Sequence, residues 1–280
     1  EFGFTDQVMG IVAGPGLWGF AITIVLGGMI VDAVGMKRVM QFAFLGHVAG
    51  VLLTIFATGF KSLYMGTLLI GLANGAVEAV INPLAATLYP NSKTKHLNML
   101  HAWFPGGLVL GGLFAYAITK GLSLDTELAT LALRSIGWKL KMALILVPTL
   151  CYGYMMSKES FPQTERVAQG VTYKQMWAEA FRPMFLLFMV LMMMTTATEL
   201  GPDQWVGNLL QNLVGIQGIL ILVYTAGIMF ILRQFFAGAI VGRFGPLGVL
   251  TLSAVLSFVG LYTLGSARTA MTVFLAATIF

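Results

Sequence analysis

The chain has 280 residues, of which 58% are hydrophobic and only 10% are charged, and its net charge is +5. Soluble domains carry about 25% charged residues, so this composition excludes an ordinary soluble protein and predicts an integral membrane protein in contact with the lipid bilayer. No basic run occurs outside short loops, which argues against a nucleic-acid partner. The single cysteine, Cys151, excludes an intramolecular disulfide and fits no metal site, and nothing in the sequence calls for a cofactor.

Nine apolar segments are candidate membrane-spanning helices, since a bilayer core about 30 Å thick needs roughly 20 helical residues. They are predicted at 8–31, 38–59, 62–88, 98–119, 140–157, 184–207, 213–240, 247–265 and 268–280. The chain starts at Glu1 without a methionine or a targeting signal and stops inside an apolar run. We therefore expect an all-α integral membrane protein and a chain cut at both ends.

The basic residues predict the orientation, because cytoplasmic loops carry an excess of lysine and arginine. The side with the loop after the first span holds ten of them: Lys37, Arg38, Lys93, Lys95, Lys158, Arg166, Lys174, Arg182, Arg243 and Arg233, which we place within a turn or two of that face. The opposite side holds six: Lys61, Lys120, Arg134, Lys139, Lys141 and Arg268. This modest bias favours a cytoplasmic first loop.

The first loop reads GGMIVDAVGMKRVM and contains Gly28, Asp32, Gly35, Lys37 and Arg38. Gly28 is expected to let another helix approach closely, and Gly35 suits a tight turn. Asp32 can accept hydrogen bonds from a neighbouring helix end or pair with a basic group. A charged loop with a helix-stopping glycine is the simpler alternative.

The third predicted span carries an acid in GLANGAVEAVINPLAATLYP, with Asn74, Glu78 and Asn82 one helical turn apart. An ionised side chain in the bilayer is costly, so we expect this polar stripe to line a cavity, with Gly71 and Gly75 allowing a close helix contact. No basic residue is placed in the middle of a predicted span, so Glu78 is expected to bind and release a proton. The alternative is a buried acid that pairs with lysine or arginine to hold two helices together.

The segment 157–183 is the longest polar stretch and predicts the boundary between two helical bundles. The predicted domains are 1–157, a six-helix bundle without its first helix; 158–183, a cytoplasmic linker; and 184–280, a partial second bundle. Four residues of the linker fall on one helical face and predict a helix at the membrane interface: Tyr173, Met176, Trp177 and Phe181.

The following span brings Glu199, Gln204 and Trp205 together near its outer end. Two polar groups and an aromatic face could bind a polyol. For Glu199, a position in an extracellular loop is the open alternative.

The first-loop pattern recurs at 238–245 as GAIVGRFG, with Gly238, Gly242, Arg243 and Gly245. The two copies are 210 residues and six predicted spans apart, on the same side of the membrane and after equivalent helices. A six-plus-six repeat is typical of a transporter built from two related bundles.

GGMIVDAVGMKRVM resembles the loop between the second and third helices of the major facilitator superfamily. The resemblance implies the major facilitator fold, with about nine of twelve transmembrane helices present and helix one missing. It also implies alternating access to a central cavity. The gating loops would then contain Gly28, Asp32, Gly35, Lys37, Arg38 and Arg243. Ala33 stands where a basic residue usually follows the acid, and Gly242 replaces the acid of the second copy.

EAVINPLAATLYP and LNMLHAWFPGG resemble helices four and five of the fucose:proton symporter family. Glu78, Asn82 and Pro83 match the first motif, and Leu97, Asn98, Trp103 and Gly107 match the second. The resemblance implies that Glu78 is the protonatable glutamate and that its partner, an aspartate, lies in helix one. His101 replaces a glutamine and Trp103 a phenylalanine; His101 either binds a sugar hydroxyl or is a structural group. The expected substrate-binding residues of these helices are Asn74, Asn82, Asn98, His101 and Trp103.

These observations favour a secondary active transporter that moves a small polar solute, most simply a monosaccharide, by proton symport. Sodium coupling and export of a lipophilic compound are the alternatives, since a carboxylate can bind Na⁺ as well as a proton. His47, His96 and His101 have no metal-site or catalytic spacing, and neither an enzyme nor a receptor explains the repeat. We expect a multi-pass monomer in a cell membrane, such as a bacterial inner membrane.

Overall fold

The structure is a computed structural model that describes residues 2–127, 129–215 and 217–279, with the backbone alone for Asp6, 199–210, 212–214, Pro246 and Ala270. The described residues form helices and no strand, which confirms the all-α prediction. The helices are α1 (Asp6–Val34), α2 (Met36–Ile55), α3 (Phe60–Leu88), α4 (Lys93–Gly121), α5 (Leu131–Ala143), α6 (Leu146–Lys158), α7 (Glu165–Ala168), α8 (Tyr173–Ala180), α9 (Pro183–Val214), α10 (Gly218–Ile231), α11 (Ala237–Ser266) and α12 (Ala270–Ile279). A π-helical segment, Leu232–Phe236, joins α10 to α11.

Seven helical segments of the described chain are long and apolar enough to cross a membrane: Gln7–Val34, Met36–Ile55, Phe60–Leu88, Lys93–Gly121, Leu131–Lys158, Gly218–Gly245 and Leu247–Ser266. An eighth results if Tyr173–Ala180 and Pro183–Thr198, bent by 66°, form one span. The predicted ninth span corresponds to α12, whose 10 residues are too short to cross by themselves.

The chain divides into two compact units. Unit 1 comprises Glu1–Lys93 and Ala117–Thr172, and unit 2 comprises Thr94–Tyr116 and Tyr173–Phe280. The central part of α4 therefore belongs to unit 2 and its two ends to unit 1. The bundle boundaries at 157 and 183 stay a prediction.

In unit 1, α3 packs against both α1 and α2 through glycines. A Cβ atom added at Gly71 would lie 2.6 Å from the carbonyl oxygen of Gly16, and one added at Gly50 would lie 3.0 Å from that of Gly66. Such distances leave room only for hydrogen at these positions. The predicted close helix contact at Gly71 is confirmed.

The prediction that Gly28 makes such a contact is wrong. No described atom of a neighbouring element lies within 4 Å of a Cβ built at Gly28, whereas a Cβ at Gly27 would lie 2.7 Å from that of Ala79. The contact with α3 therefore falls one residue earlier along α1 than expected.

Apolar side chains from four helices fill the centre of unit 1. The buried cluster contains Val31, Met36, Val39, Met40, Ala43, Ala76, Val80 and Met156. It joins the end of α1 to α2, α3 and α6, and so fixes the loop that contains Gly35.

Gly35 and Gly245 have the same kind of backbone conformation. Gly35 ends α1 with φ 89° and ψ 148°, and Gly245 interrupts α11 with φ 69° and ψ 165°. Only glycine adopts these positive φ values at little cost. The predicted tight turn at Gly35 is confirmed, and the second copy of the motif places a glycine turn at the corresponding point.

In unit 2, the central part of α4 packs on α10. A Cβ at Gly112 would lie 2.6 Å from Cγ2 of Val223, so this glycine also permits a close contact. Ile221 and Val273 form a buried core between α10 and α12, and the Tyr224 hydroxyl lies 2.6 Å from Oγ1 of Thr278.

Candidate functional site

A cavity of about 380 Å³ in unit 1 lies between α1, α3 and the start of α7. Its polar lining consists of Asp32, Glu78, Asn82, Thr164, Glu165 and Arg166. Along α1 it extends from Ile24 to Asp32, roughly 12 Å at 1.5 Å per residue. The cavity therefore connects the mid-span acid with the end of α1, close to the first loop.

Glu78 and Asn82 form a pair on the cavity wall. Nδ2 of Asn82 donates a hydrogen bond to Oε1 of Glu78 over 2.9 Å. Oδ1 of Asn82 is buried and has no hydrogen-bond partner among the described residues. Pro83 has no N–H, so the carbonyl of Ala79, also on the wall, receives no helical hydrogen bond from it. The wall thus presents a carboxyl group and an amide, which can exchange hydrogen bonds with a ligand that has hydroxyl groups.

Asn74 lies on the side of α3 that faces α2. Its Oδ1 is 2.8 Å from Nε2 of His47, and Nδ1 of that histidine is 2.8 Å from the Tyr152 hydroxyl. His47 is only 7% exposed, so this network joins α2, α3 and α6 inside the unit. Glu78 and Asn82 line the cavity, but Asn74 does not. The predicted polar stripe of α3 is therefore split: its first residue faces α2, and the other two face the cavity beside α1.

Asp32 connects the end of α1 to the segment that follows α6. It accepts hydrogen bonds from Thr164 Oγ1 and from Nε of Arg166. The side chains of Asp32 and Arg166 are 8% and 19% exposed, so this ion pair is largely shielded from water. Asp32 therefore pairs with a basic group, as the sequence suggested, but with one 134 residues away that sequence analysis did not identify.

Further contacts hold the same segment. Lys93 forms an ion pair with Glu165 at 2.6 Å, and Nζ of Lys37 donates to the backbone oxygen of Glu159 at 2.8 Å. Arg38 is exposed and lines a neighbouring cavity of about 480 Å³ together with Lys37. The first loop, together with Lys93, thus anchors the 158–172 segment within unit 1.

The residues of the second resemblance motif lie in unit 2. Asn98 is exposed and His101 is half-buried. Trp103 is 58% exposed, and its ring centroid is 5.4 Å from that of Phe230 on α10. A Cβ at Gly106 would lie 3.0 Å from the same phenylalanine ring. Trp103 therefore contacts Phe230 of α10 while more than half of its surface stays exposed.

Glu199, Gln204 and Trp205 belong to α9, but their side chains lie outside the described residues. Arg243 is exposed in α11, with its guanidinium 5.8 Å from the ring centroid of Phe244. Among the described residues, no group of three or more histidine, cysteine, aspartate or glutamate side chains could hold a metal ion.

The position of Arg233 differs from the prediction. The span that contains it runs from Gly218 to Gly245, so Arg233 lies 12 residues from the loop end, about 18 Å along a helix. It is half-buried near the middle of the span and not a turn or two from the face. The next residue, Gln234, has a buried Oε1 without a hydrogen-bond partner in the described part of the chain. The glycine motif at 238–245 is the feature of the sequence that could have revealed this depth, because a turn at Gly245 places the end of the span beyond residue 240.

The comparisons with known proteins agree with this architecture. The chain is 23% identical over 140 residues to "Probable anion transporter 6, chloroplastic" of Arabidopsis thaliana, covering 49% of the chain and 27% of that protein. It is 27% identical over 118 residues to "Probable anion transporter 1, chloroplastic" of Oryza sativa subsp. japonica, covering 41% of the chain and 22% of that protein. The matched stretches thus span about a quarter of these relatives, and no solved structure matches the chain.

The family description "Major Facilitator Superfamily" matches residues 1–280. Members of this family are transporters rather than enzymes. The apolar helices, the repeated glycine turn and this full-length match lead to the same conclusion: the chain is a multi-pass membrane protein that belongs to the major facilitator superfamily.

Proposed function

We propose that the protein is a proton-coupled symporter of a small, hydroxylated solute and that Glu78 carries the coupling proton. The observation that carries this proposal is the pair of Glu78 and Asn82 on the wall of a cavity that reaches the end of α1. The cavity gives the carboxyl group a route to one face of the membrane.

The coupling follows from the cost of enclosing a charge. An ionised carboxylate is expensive to remove from water inside a bilayer, so closing the cavity over Glu78 favours its protonated form. A protonated carboxyl group can also donate a hydrogen bond to a solute oxygen, which the ionised form cannot do. Both effects link proton uptake to solute binding.

The acceptors on the cavity wall favour a solute with hydroxyl groups. The carboxyl group of Glu78 and the amide of Asn82 both line the cavity, and such groups exchange hydrogen bonds with sugar hydroxyls. Together with the resemblance to fucose:proton symporters, this makes a monosaccharide the simplest substrate. The polar lining argues against export of a lipophilic compound, whereas Na⁺ is an alternative coupling ion. We place the protein as a monomer in a cell membrane, such as a bacterial inner membrane.

Anion transport is the second candidate function. Both relatives carry names that describe anion transporters, and Arg233 places a cation near the middle of a span. The guanidinium of an arginine presents a fork of donors that fits a carboxylate or a phosphate, so Arg233 is a candidate binding group for an anion.

The test is Glu78→Gln in the intact protein, reconstituted in proteoliposomes under an imposed pH gradient. We expect concentrative uptake to disappear while exchange of labelled solute across the membrane persists. The matched control is Glu179→Gln on α8, because the side chain of Glu179 is 60% exposed and lies outside the cavity. Concentrative uptake at the full rate in Glu78→Gln would contradict the coupling role, and uptake that requires Na⁺ in place of the pH gradient would favour the alternative ion.

A further inference from the structure

Two cavities of unit 1 meet at the end of α1. The inner cavity, of about 380 Å³, is lined by Glu78, and the outer cavity, of about 480 Å³, is lined by Lys37 and the rest of the first loop. Val31, Asp32 and Thr164 line both cavities. These three residues therefore form a partition between the two cavities that is only one layer of side chains thick.

Hydrogen bonds to one carboxylate hold the partition closed. Oγ1 of Thr164 and Nε of Arg166 both donate to Asp32, and Nη1 of Arg166 also donates to the carbonyl oxygen of Val171. Hydrogen bonds to an ionised group are stronger than those between neutral groups. The partition thus depends on contacts between α1 and the segment around α7, a helix of only four residues. Such a short helix can move away from α1 without moving a membrane span.

Charged side chains lie on both sides of the partition. Those that line the two cavities are Asp32 from α1, Lys37 and Arg38 from α2, Glu78 from α3, and Glu165 and Arg166 from α7. A carboxylate inside a bilayer is costly to ionise without water, so Glu78 can release a proton only when water reaches it. On the side of the first loop, the partition at Asp32 is the contact that separates the inner cavity from the outer one.

We infer that this partition is a gate for water. When Thr164 and Arg166 release Asp32, the two cavities join into one passage, through which Glu78 exchanges its proton with the solution at the face of the membrane that carries the first loop. Thr164 is the positioning residue of the gate, because it lines both cavities and its hydroxyl group holds the Asp32 carboxylate. The passage lies within unit 1. Its use by the coupling proton rests on the proposed function, whereas the partition rests on geometry alone.

The test measures how fast a cysteine on each side of the partition reacts with methanethiosulfonate ethylsulfonate, a thiol reagent that does not cross membranes. The reagent is added to the first-loop side of the intact protein in sealed vesicles, in a background without native cysteines that includes Cys151→Ser. Ile24→Cys reports on the inner cavity and Gln41→Cys on the outer cavity. We expect Gln41→Cys to react at least tenfold faster than Ile24→Cys, and a smaller difference would overturn the inference.

Variants of Thr164 open the gate or keep it closed. Thr164→Ala removes one donor to Asp32 and should increase the reaction rate of Ile24→Cys at least tenfold, while the rate of Gln41→Cys stays the same. Thr164→Ser keeps the hydroxyl group and should keep the slow rate. The control is Lys93→Gln, which breaks an exposed ion pair of α7 but changes no residue that lines either cavity, and it should alter neither rate.

Two results would refute the gate: an unchanged rate of Ile24→Cys in Thr164→Ala, or an equal increase at Gln41→Cys. If Thr164→Ala does not fold, as judged by size-exclusion chromatography, Arg166→Gln removes the other donor to Asp32 and replaces it in the same comparison. The difference between the two reporters on the unaltered partition decides the question in either case.

Uptake into proteoliposomes tests whether the proton uses the passage. With the partition open, Glu78 stays in equilibrium with the solution on one side, so Thr164→Ala should lose concentrative uptake at least tenfold and keep exchange of labelled solute. Thr164→Ser should keep both. Full concentrative uptake in a Thr164→Ala protein that reacts rapidly at Ile24→Cys would overturn the role of the passage. Full concentrative uptake in Glu78→Gln would instead refute the proposed coupling and leave the labelling results, and with them the partition, unchanged.

Discussion

The ion pair of Asp32 and Arg166 is expected to keep the segment after α6 closed against α1. Both side chains are mostly shielded, with 8% and 19% exposed, so removing one partner leaves a poorly solvated charge behind. Removing one partner of a fully buried ion pair costs about 3–5 kcal/mol of stability. Because Arg166 is partly exposed, we expect a smaller cost here, about 2 kcal/mol. Since about 1.4 kcal/mol corresponds to a tenfold change in an equilibrium constant, Asp32→Asn or Arg166→Gln should increase the population of the locally opened state about thirtyfold.

The assay is hydrogen exchange of the intact protein in detergent micelles, followed at the amides that α7 protects. The N–H groups of Ala168 and Gln169 donate to the carbonyls of Thr164 and Glu165, each over 2.9 Å, and they exchange only when this turn opens. The double variant Asp32→Asn with Arg166→Gln should open less than the sum of the single changes, because neither charge is then left alone.

A neighbouring ion pair on the same short helix supplies the control. The side chains of Lys93 and Glu165 are 41% and 37% exposed, so water already screens this pair. Exposed pairs contribute about 0.5 kcal/mol, and Lys93→Gln should increase exchange at the same amides by about twofold at most. Equal effects of Lys93→Gln and Asp32→Asn, or a larger effect of Lys93→Gln, would refute the argument from burial.

Two further changes test the packing of unit 1 by thermal unfolding of the intact protein. Gly71→Ala places a methyl group 2.6 Å from a backbone oxygen of α1 and should lower stability by about 1–3 kcal/mol, whereas Gly111→Ala, at a helical glycine with open space around it, should be neutral or stabilising. Asn74→Ala leaves buried His47 without one of its two partners and should cost about 1–3 kcal/mol, while exposed Asn91→Ala should cost little. An unchanged melting temperature for Gly71→Ala or Asn74→Ala would contradict these assignments.

The membrane architecture could be predicted from the sequence because the bilayer imposes simple rules on composition and length. The apolar segments, the glycine turn at Gly35 and the close helix contact at Gly71 all follow from local sequence. Their physical basis is local as well: a span needs a fixed number of apolar residues, and positive φ or a close backbone approach needs a glycine.

The partners of the polar residues could not be predicted in the same way. Helical periodicity places Asn74, Glu78 and Asn82 within a broad arc of α3, but it does not reveal which neighbouring helix covers each part of that arc. The partner of Asn74, His47, is 27 residues away, and Arg166 is 134 residues from Asp32. Such pairs depend on how helices pack, which composition and spacing leave undetermined.

The depth of Arg233 was mispredicted for a different reason. The sequence places a span at 213–240, whereas the helical segment continues to Gly245 and begins at Gly218. A shift of five residues at each end moves an arginine from near the interface to the interior. Charged residues near the end of a predicted span are therefore sensitive to small errors in its limits.

The polar network of His47, Asn74 and Tyr152 has a mechanical consequence for transport. Two 2.8 Å hydrogen bonds tie α3 to α2 and α2 to α6, and glycine contacts hold α1 against α3 without space to slide. A shift of α3 by one helical turn relative to α2 would break the bond between Asn74 and His47 and drive side chains into backbone. In the transport cycle that we propose, the movements that carry a solute past Glu78 must preserve this register, so these four helices are expected to move as one stiff body.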